Sequence, residues 1–186
     1  MGISTDRADQ APLTRDGAVR AALEIVDREG LPALTMRRLG RELGVEAMSI
    51  YHHIANKDAL LDALVDELLD RAGVVDDGGT PPELLEQMCR QLRGALRDHP
   101  NLVPLAAARL PKSLLGTPAA SASSRRLVEY GFDEQAARWI LVSLVGFALG
   151  QTLVELANNV SVEDGDASFE TGMRFLLLGL RDEFGL

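Results

Sequence analysis

"MRRLGRELGVEAMSIYHHI", residues 36–54, decides the fold. Leu39 and Leu43 precede Gly44, and Val45 and Ile50 follow it, so the apolar residues sit at spacings that pack one short helix against another. Gly44 tolerates the left-handed backbone that a tight turn between them requires. The stretch reads as a helix-turn-helix. Its second helix, about two turns long, carries Ala47, Met48, Ser49, Tyr51, His52 and His53 largely on the side away from the packed leucines.

One tyrosine and two adjacent histidines on so short a segment admit four readings. A metal site is disfavoured, because neighbouring helical residues point ~100° apart whereas two histidine ligands want one-face spacing such as i, i+4. Acid–base catalysis needs an orienting carboxylate and a pocket, and a two-turn helix supplies neither. Core packing suits the ring of Tyr51 in part, over Leu39 or Leu60 with its hydroxyl outward. The remaining reading is a surface that touches another molecule. A helix presenting small and hydrogen-bonding side chains fits the major groove of DNA. Arg37, Arg38, Arg41 and Lys57 flank it as phosphate partners, and the N-terminus of the helix capped by Thr35 offers backbone N–H groups.

Outward from this stretch the chain continues as helices, without strand-like alternation or an internal repeat. Residues 15–29 carry an apolar stripe at Ala18, Ala21, Ala22, Ile25 and Val26, with Thr14 as cap and Gly30 as stop. Asn56 caps "KDALLDALVDELLDRA". "GVVDDGGTPP", 73–82, is the clearest break. Further helices are expected over about 82–98, 101–110, 121–130, 134–158 and 168–184, with "SVEDGDAS" as a loop before the last. The expected division is a flexible tail over 1–13, a helix-turn-helix domain over 14–57, and a larger helical domain over 58–186. Helix four, about 56–71, connects the two. The fold class is all-α.

The charge is divided in the same way. The chain's formal net charge is −9, yet residues 14–57 carry seven Arg or Lys against six acids. The acidity therefore sits downstream of Lys57, an asymmetry that suggests two jobs. Cys89 is the only cysteine, which excludes an intramolecular disulfide and a cysteine-based zinc site. The first dozen residues lack the apolar stretch of a signal peptide, and no unbroken run approaches the ~18 apolar residues of a membrane span. A cytoplasmic protein with no membrane partner is expected.

The residues from Gly30 to Leu69 resemble the DNA-binding region of the tetracycline-repressor (TetR) family. The resemblance is carried by the Leu-Thr-x-Arg-Arg-Leu opening, the Leu-Gly-Val turn, the Tyr-x-His-hydrophobic recognition helix and the Asn-Lys-x-x-Leu-Leu entry to helix four. "YGFDEQAARWILVSLVGFALGQTLVE", 130–155, is similar to the penultimate long helix of the tetracycline-repressor subgroup. The resemblance implies backbone or base contacts from Thr35 and Arg37, and a base-reading face of Ala47, Met48 and Ser49. It implies phosphate or groove-edge contacts from Tyr51, His52 and His53, and a phosphate clamp at Lys57. Ala47 and Met48 make no bidentate base hydrogen bonds, so contact with a thymine methyl is the chemistry left to them. The family's two C-terminal long helices pair with those of a second subunit, which implies a homodimer on a palindromic operator.

The larger domain departs from the magnesium chemistry of the tetracycline repressor. Pro104 or Leu105 stands where a metal-binding histidine is expected, and Glu155 is displaced by one residue from the expected carboxylate. No cofactor or metal is therefore expected. The expected effector is an apolar or aromatic small molecule held by Met88, Leu92, Leu105, Trp139 and Phe147, with polar handles at Ser143, Gln151 or Arg109 and a further role for His99. Two rivals stand beside this ligand-responsive regulator, a repressor by preference. One is a helical ligand-binding adaptor whose helix-turn-helix no longer binds DNA. The other is an enzyme, for which Cys89 and His99 are the one polar pair to assemble. The expectation is that the protein is not an enzyme.

Overall fold

The computed structural model describes residues 12–72, 79–113 and 118–184, all of them helical or in the turns between helices. The tail over 1–11, the break over 73–78 and part of the loose segment over 111–120 lie outside the described residues. The chain divides into two compact units, which meet between Leu60 and Leu61.

Local capping sets the elements of the first unit. Thr14 accepts the Gly17 N–H at 3.1 Å and starts α1 (Arg15–Glu29), which Gly30 ends at φ 81°. A 3₁₀ turn over Leu31–Ala33 follows. The Thr35 hydroxyl oxygen accepts the Arg38 N–H at 3.0 Å and opens α2 (Met36–Leu43), and Gly44 closes it in the left-handed region at φ 65°. α3 (Ala47–Tyr51) is only five residues long, shorter than the two turns expected. Glu46 gives it no side-chain cap, and after Tyr51 the chain folds back, with the N–H groups of His53 and Ile54 both donating to the Ile50 carbonyl at 2.9 Å. Asn56 then accepts the Ala59 N–H at 2.8 Å and starts α4 (Lys57–Arg71).

α2 packs on α1 and on α3. Ile25, Leu34, Leu39 and Ile50 are wholly excluded from solvent, each burial worth about 1.5–3 kcal/mol. Leu39 of α2 and Ile50 of α3 are the fully buried residues of the four expected at this contact; Leu43 and Val45 are half-buried. The approach is close because of Gly40. A Cβ there would stand 2.9 Å from the Val45 carbonyl oxygen and 3.3 Å from the Ala47 nitrogen.

The second unit is built around α8 (Glu134–Asn158), which packs against α5 (Pro81–Asp98), α6 (Val103–Ser113), α7 (Pro118–Glu129) and α9 (Val162–Phe184). Asp133 caps α8 by accepting the N–H groups of Gln135 and Ala136, both at 2.8 Å. One side of α8, including Ala137, Ile140, Leu141, Leu144 and Ala148, is buried. The opposite side exposes Trp139 (65%) and Val142, and Gly146 and Gly150 there face open space. Averaged over 18 residues rather than counted as an unbroken run, α8 is apolar and long enough to cross a membrane, with 39% of that window buried in the unit.

α9 starts at Val162, six residues before the expected 168, so the expected loop "SVEDGDAS" is mostly helix. Ser161 accepts the Asp164 N–H at 3.1 Å, and Glu163 and Asp164 sit at the positive end of the helix dipole. Gly165 lets this first turn lie on the Glu155 carboxylate, whose Cδ is 3.0 Å from where a Cβ would be. α7 likewise starts three residues earlier than expected, and α6 follows a 3₁₀ turn over Pro100–Leu102 and runs three residues beyond Leu110.

Candidate nucleic-acid interface and effector site

The short α3 presents its side chains as a shallow ridge. Ile50 and, just beyond the helix, Ile54 point inward and are buried; Met48 is 68% exposed and Tyr51 41%. His52 and His53 are exposed in the turn after the helix, and Ala47 and Ser49 are half-buried at its flanks. The six residues therefore lie along one continuous stretch of surface, with the two histidines beyond the helix rather than on it. Thr35 is exposed at the start of α2, its hydroxyl oxygen already accepting from its own helix and its O–H still able to donate.

The basic residues around this ridge fall into two sets. Arg37, Arg41 and Lys57 are exposed and make no ion pair among the described residues. Arg38 is occupied. Its guanidinium reaches Glu29 at 2.6 Å and Glu42 at 2.7 Å, and Arg28 meets the same Glu42 at 2.7 Å. Hydrogen bonds from Arg38 hold the Glu29 carboxyl below the ordinary carboxylate range, and Arg28 and then Arg38 do the same for Glu42. The Arg38 guanidinium is pushed further up by both acids. Arg38 thus ties the end of α1 to α2, and the two acids are spent on Arg28 and Arg38. Arg37, Arg41 and Lys57 are left exposed around α3, with Glu46 at the start of the helix itself.

The expected effector residues fall into several environments. Leu92 and Leu105 are buried in the second unit, and Met88, His99 and Arg109 are half-buried. Arg109 reaches Asp62 of α4 at 2.5 Å. Phe147 and Gln151 turn to α9 instead: Phe147 stacks on Phe169 at 5.3 Å between centroids, and Gln151 donates to the Ser168 hydroxyl at 3.5 Å. Gly172 makes room for that stack, since a Cβ there would lie 2.6 Å from the Phe147 ring. Trp139 and Ser143 are on the outward side of α8. The shared helical spacing of these residues on α8 does not bring them to one cavity, because α8 is apolar on several faces.

Three features escaped the sequence reading. Gly40 has no signature beyond being a glycine inside a helix. The Gln91 Oε1 is buried without a hydrogen-bond partner among the described residues, an open acceptor. Glu155 is engaged by Arg93 through contacts of 3.0–3.3 Å, while Arg93 also holds Asp166 at 2.8 Å and lies 4.6 Å over the Phe169 ring. The Glu155 carboxylate is therefore committed to an arginine. Among the described residues no group of three or more His, Cys, Asp or Glu is arranged to hold a metal. Cys89 donates to the Leu144 carbonyl at 3.6 Å, and burial pushes its thiol up to about 12.

Residues 18–64 match the family described as bacterial regulatory proteins, tetR family, and residues 76–159 match the tetracyclin repressor-like C-terminal domain. The chain is similar to the class C tetracycline repressor of Escherichia coli, 32% identical over 82% of this chain and 70% of that one. It is also similar to the HTH-type transcriptional repressor DrrR1 of Streptomyces coeruleorubidus, 37% identical over 55% of this chain; the match spans 38% of DrrR1. Among solved structures it resembles ActR of Streptomyces coelicolor in complex with actinorhodin, with TM-score 0.78, 28% identity and coverage of 95% of this chain and 100% of that one. A TetR variant from Acinetobacter baumannii AYE in complex with minocycline gives TM-score 0.75, 27% identity and coverage of 92% and 98%.

Proposed function

The chain belongs to the TetR family of transcriptional regulators, and from that premise we propose that it is a repressor that grips a palindromic operator as a homodimer and is released by a small molecule. Residues 14–57 are the DNA-binding domain and 58–186 the ligand-binding and dimerisation domain, in a cytoplasmic protein. One observation carries the reading: an exposed ridge of Met48, Tyr51, His52 and His53 stands among Arg37, Arg41 and Lys57, which make no ion pair among the described residues. A surface of that kind fits a groove flanked by phosphates. Met48 and Ala47 read by apolar contact, Ser49 by its hydroxyl, and Thr35, Arg37 and Lys57 set the register. Paired units on one face of DNA lie about 34–36 Å apart or a multiple of it.

The effector sits in the helical core of the larger domain, against Met88, Leu92 and Leu105, with His99, Arg109 and the open acceptor of Gln91 as polar handles. The complexes of ActR with actinorhodin and of the TetR variant with minocycline support a small-molecule ligand. The commitment of Glu155 to Arg93 supports one that needs no metal chelate. Trp139 and Ser143 face the second subunit. The pair Arg109–Asp62 links α6 to α4, so a ligand that moves α6 acts on the helix whose first residue is the phosphate clamp Lys57. The ligand's leverage equals its difference in affinity between the two states.

Footprinting on the DNA flanking the protein's own gene, followed by mobility shifts at two salt concentrations, tests the assignment. A repressor protects a palindrome and loses affinity steeply with salt. Met48→Ala changes the preference at the base pairs it faces, by about 1–3 kcal/mol per mismatched pair. Binding without sequence preference, or no binding, would instead leave the ligand-binding adaptor.

A further inference from the structure

Away from the core residues named above, a cavity of about 620 Å³ opens between the start of α5 and the last turns of α9. Its size falls within the ~300–1,000 Å³ typical of small-molecule sites. Pro81 and Pro82 line one side, and Met173, Arg174, Leu177 and Arg181 the other. The prolines contribute apolar rings and no N–H, so the donors in the groove are side chains.

The charges are distributed unevenly. Glu86 and Glu170 also border the cavity, and both are held by Arg90, at 2.7 and 2.6 Å. Glu170 is the residue one turn before Arg174 and its natural partner on α9. With Arg90 on that carboxylate, Arg174 has no ion pair among the described residues, and neither has Arg181, seven positions further along the same side. Arg181 answers the negative end of the α9 dipole. Arg174, ten residues from the end of α9, has no such role. With both lining carboxylates taken by Arg90, the guanidinium donors of Arg174 and Arg181 are left open to the groove among the described residues.

The groove lies beside the outward apolar face of α9, and Leu178, 54% exposed, borders both. At 100° per residue Met173, Arg174, Leu177 and Arg181 share one side, while Phe175, 67% exposed, and Gly179, with open space around it, lie on another.

We propose that this groove is a second ligand site for a small amphipathic carboxylate. The carboxylate binds between Arg174 and Arg181, where guanidinium donors match its geometry. The alkyl or aryl body lies over Met173, Leu177 and the two prolines. The proposal is independent of whether the core holds the effector.

Titration of the full chain with decanoate and with decanol tests it, read by calorimetry and by the methyl signals of the chain's five methionines. Decanoate binds saturably, one per chain, at least tenfold more tightly than decanol, and shifts Met173 most. The double variant Arg174→Gln, Arg181→Gln, whose sites are both exposed and whose fold is checked by circular dichroism, loses at least tenfold for decanoate and little for decanol. Equal affinity for the two ligands, an unchanged double variant, or no saturable binding overturns the proposal. A dominant shift at Met88 overturns it too, and would show that the core cavity took the ligand. Loss of binding in a monomeric variant, with α9 intact, would assign the groove to the second subunit instead.

Discussion

Arg37 and Arg38 are adjacent in sequence and about 100° apart around α2, and that angle separates their work. Arg37 points to solvent without an acid partner, whereas Arg38 is clasped by Glu29 and Glu42. Arg37→Ala is expected to lower the salt dependence of DNA binding by about one phosphate contact while leaving the unfolding midpoint in place. Arg38→Ala is expected to do the reverse, which salt titrations and thermal melts on both variants check. The acids give a sign in pH. Their folded carboxyls are held below the unfolded range, so their stabilisation is present above that range and is lost as pH falls through the folded values. Melting of the wild type should therefore drop in acid, below about pH 4, and Arg38→Ala should flatten that part of the decline. At Cys89 the thiol stays protonated up to about 12, so the native protein should not react with a thiol reagent at pH 8, and denaturant should expose the site.

At the scale of elements, two glycines set helix–helix distances. Glycine inside a helix costs roughly 1 kcal/mol against alanine, so Gly40 reads from sequence as a weak point in α2. In the fold it is where the backbone leading into α3 comes to 2.9 Å of a would-be Cβ, and the obstacle is a carbonyl that cannot swing aside. Gly40→Ala should lose about 1–3 kcal/mol of stability in chemical denaturation, despite the gain in helix propensity, and should weaken operator binding by displacing α3. At Gly172 the obstacle is the Phe147 ring, a side chain rather than backbone, held in its stack on Phe169. The early start of α9 belongs to the same scale. Glycine and acids in "SVEDGDAS" read as a loop, but the acids suit a helix N-terminus and Gly165 is required by the Arg93–Glu155 pair beneath it.

For the whole molecule the decisive feature is that α8 has two apolar sides. One is buried by α5, α6 and α7, while the other leaves Trp139, Val142 and Val154 exposed beside Gly146 and Gly150, with Phe175 outward on α9. This surface suits the contact of the proposed homodimer. Trp139→Glu should convert a dimer to a monomer in sedimentation velocity, with helical circular dichroism unchanged. A dimer that persists would place the interface elsewhere. The monomer should also lose most of its operator affinity, because each half-site then binds alone.

The sequence by itself determined the helices whose ends are local events. Thr14, Thr35, Asn56 and Asp133 each cap a helix with their own side chain, so α1, α2, α4 and α8 begin where the residues say. It also determined which residues of the turn and α3 are left outward, because Leu39 and Ile50 had to be buried. Tertiary structure decided the rest. Periodicity shows that α8 is apolar but not which stripe meets α5, so Phe147 and Trp139, grouped by spacing, part company in space. Composition counts arginines but not their partners: only folding brings Glu29 and Glu42 to Arg38 and leaves Arg37 exposed, with no ion pair among the described residues. Capping is written within three residues of chain, whereas packing and ion pairing join residues fourteen or eighty apart, as Arg28 with Glu42 and Arg90 with Glu170 do.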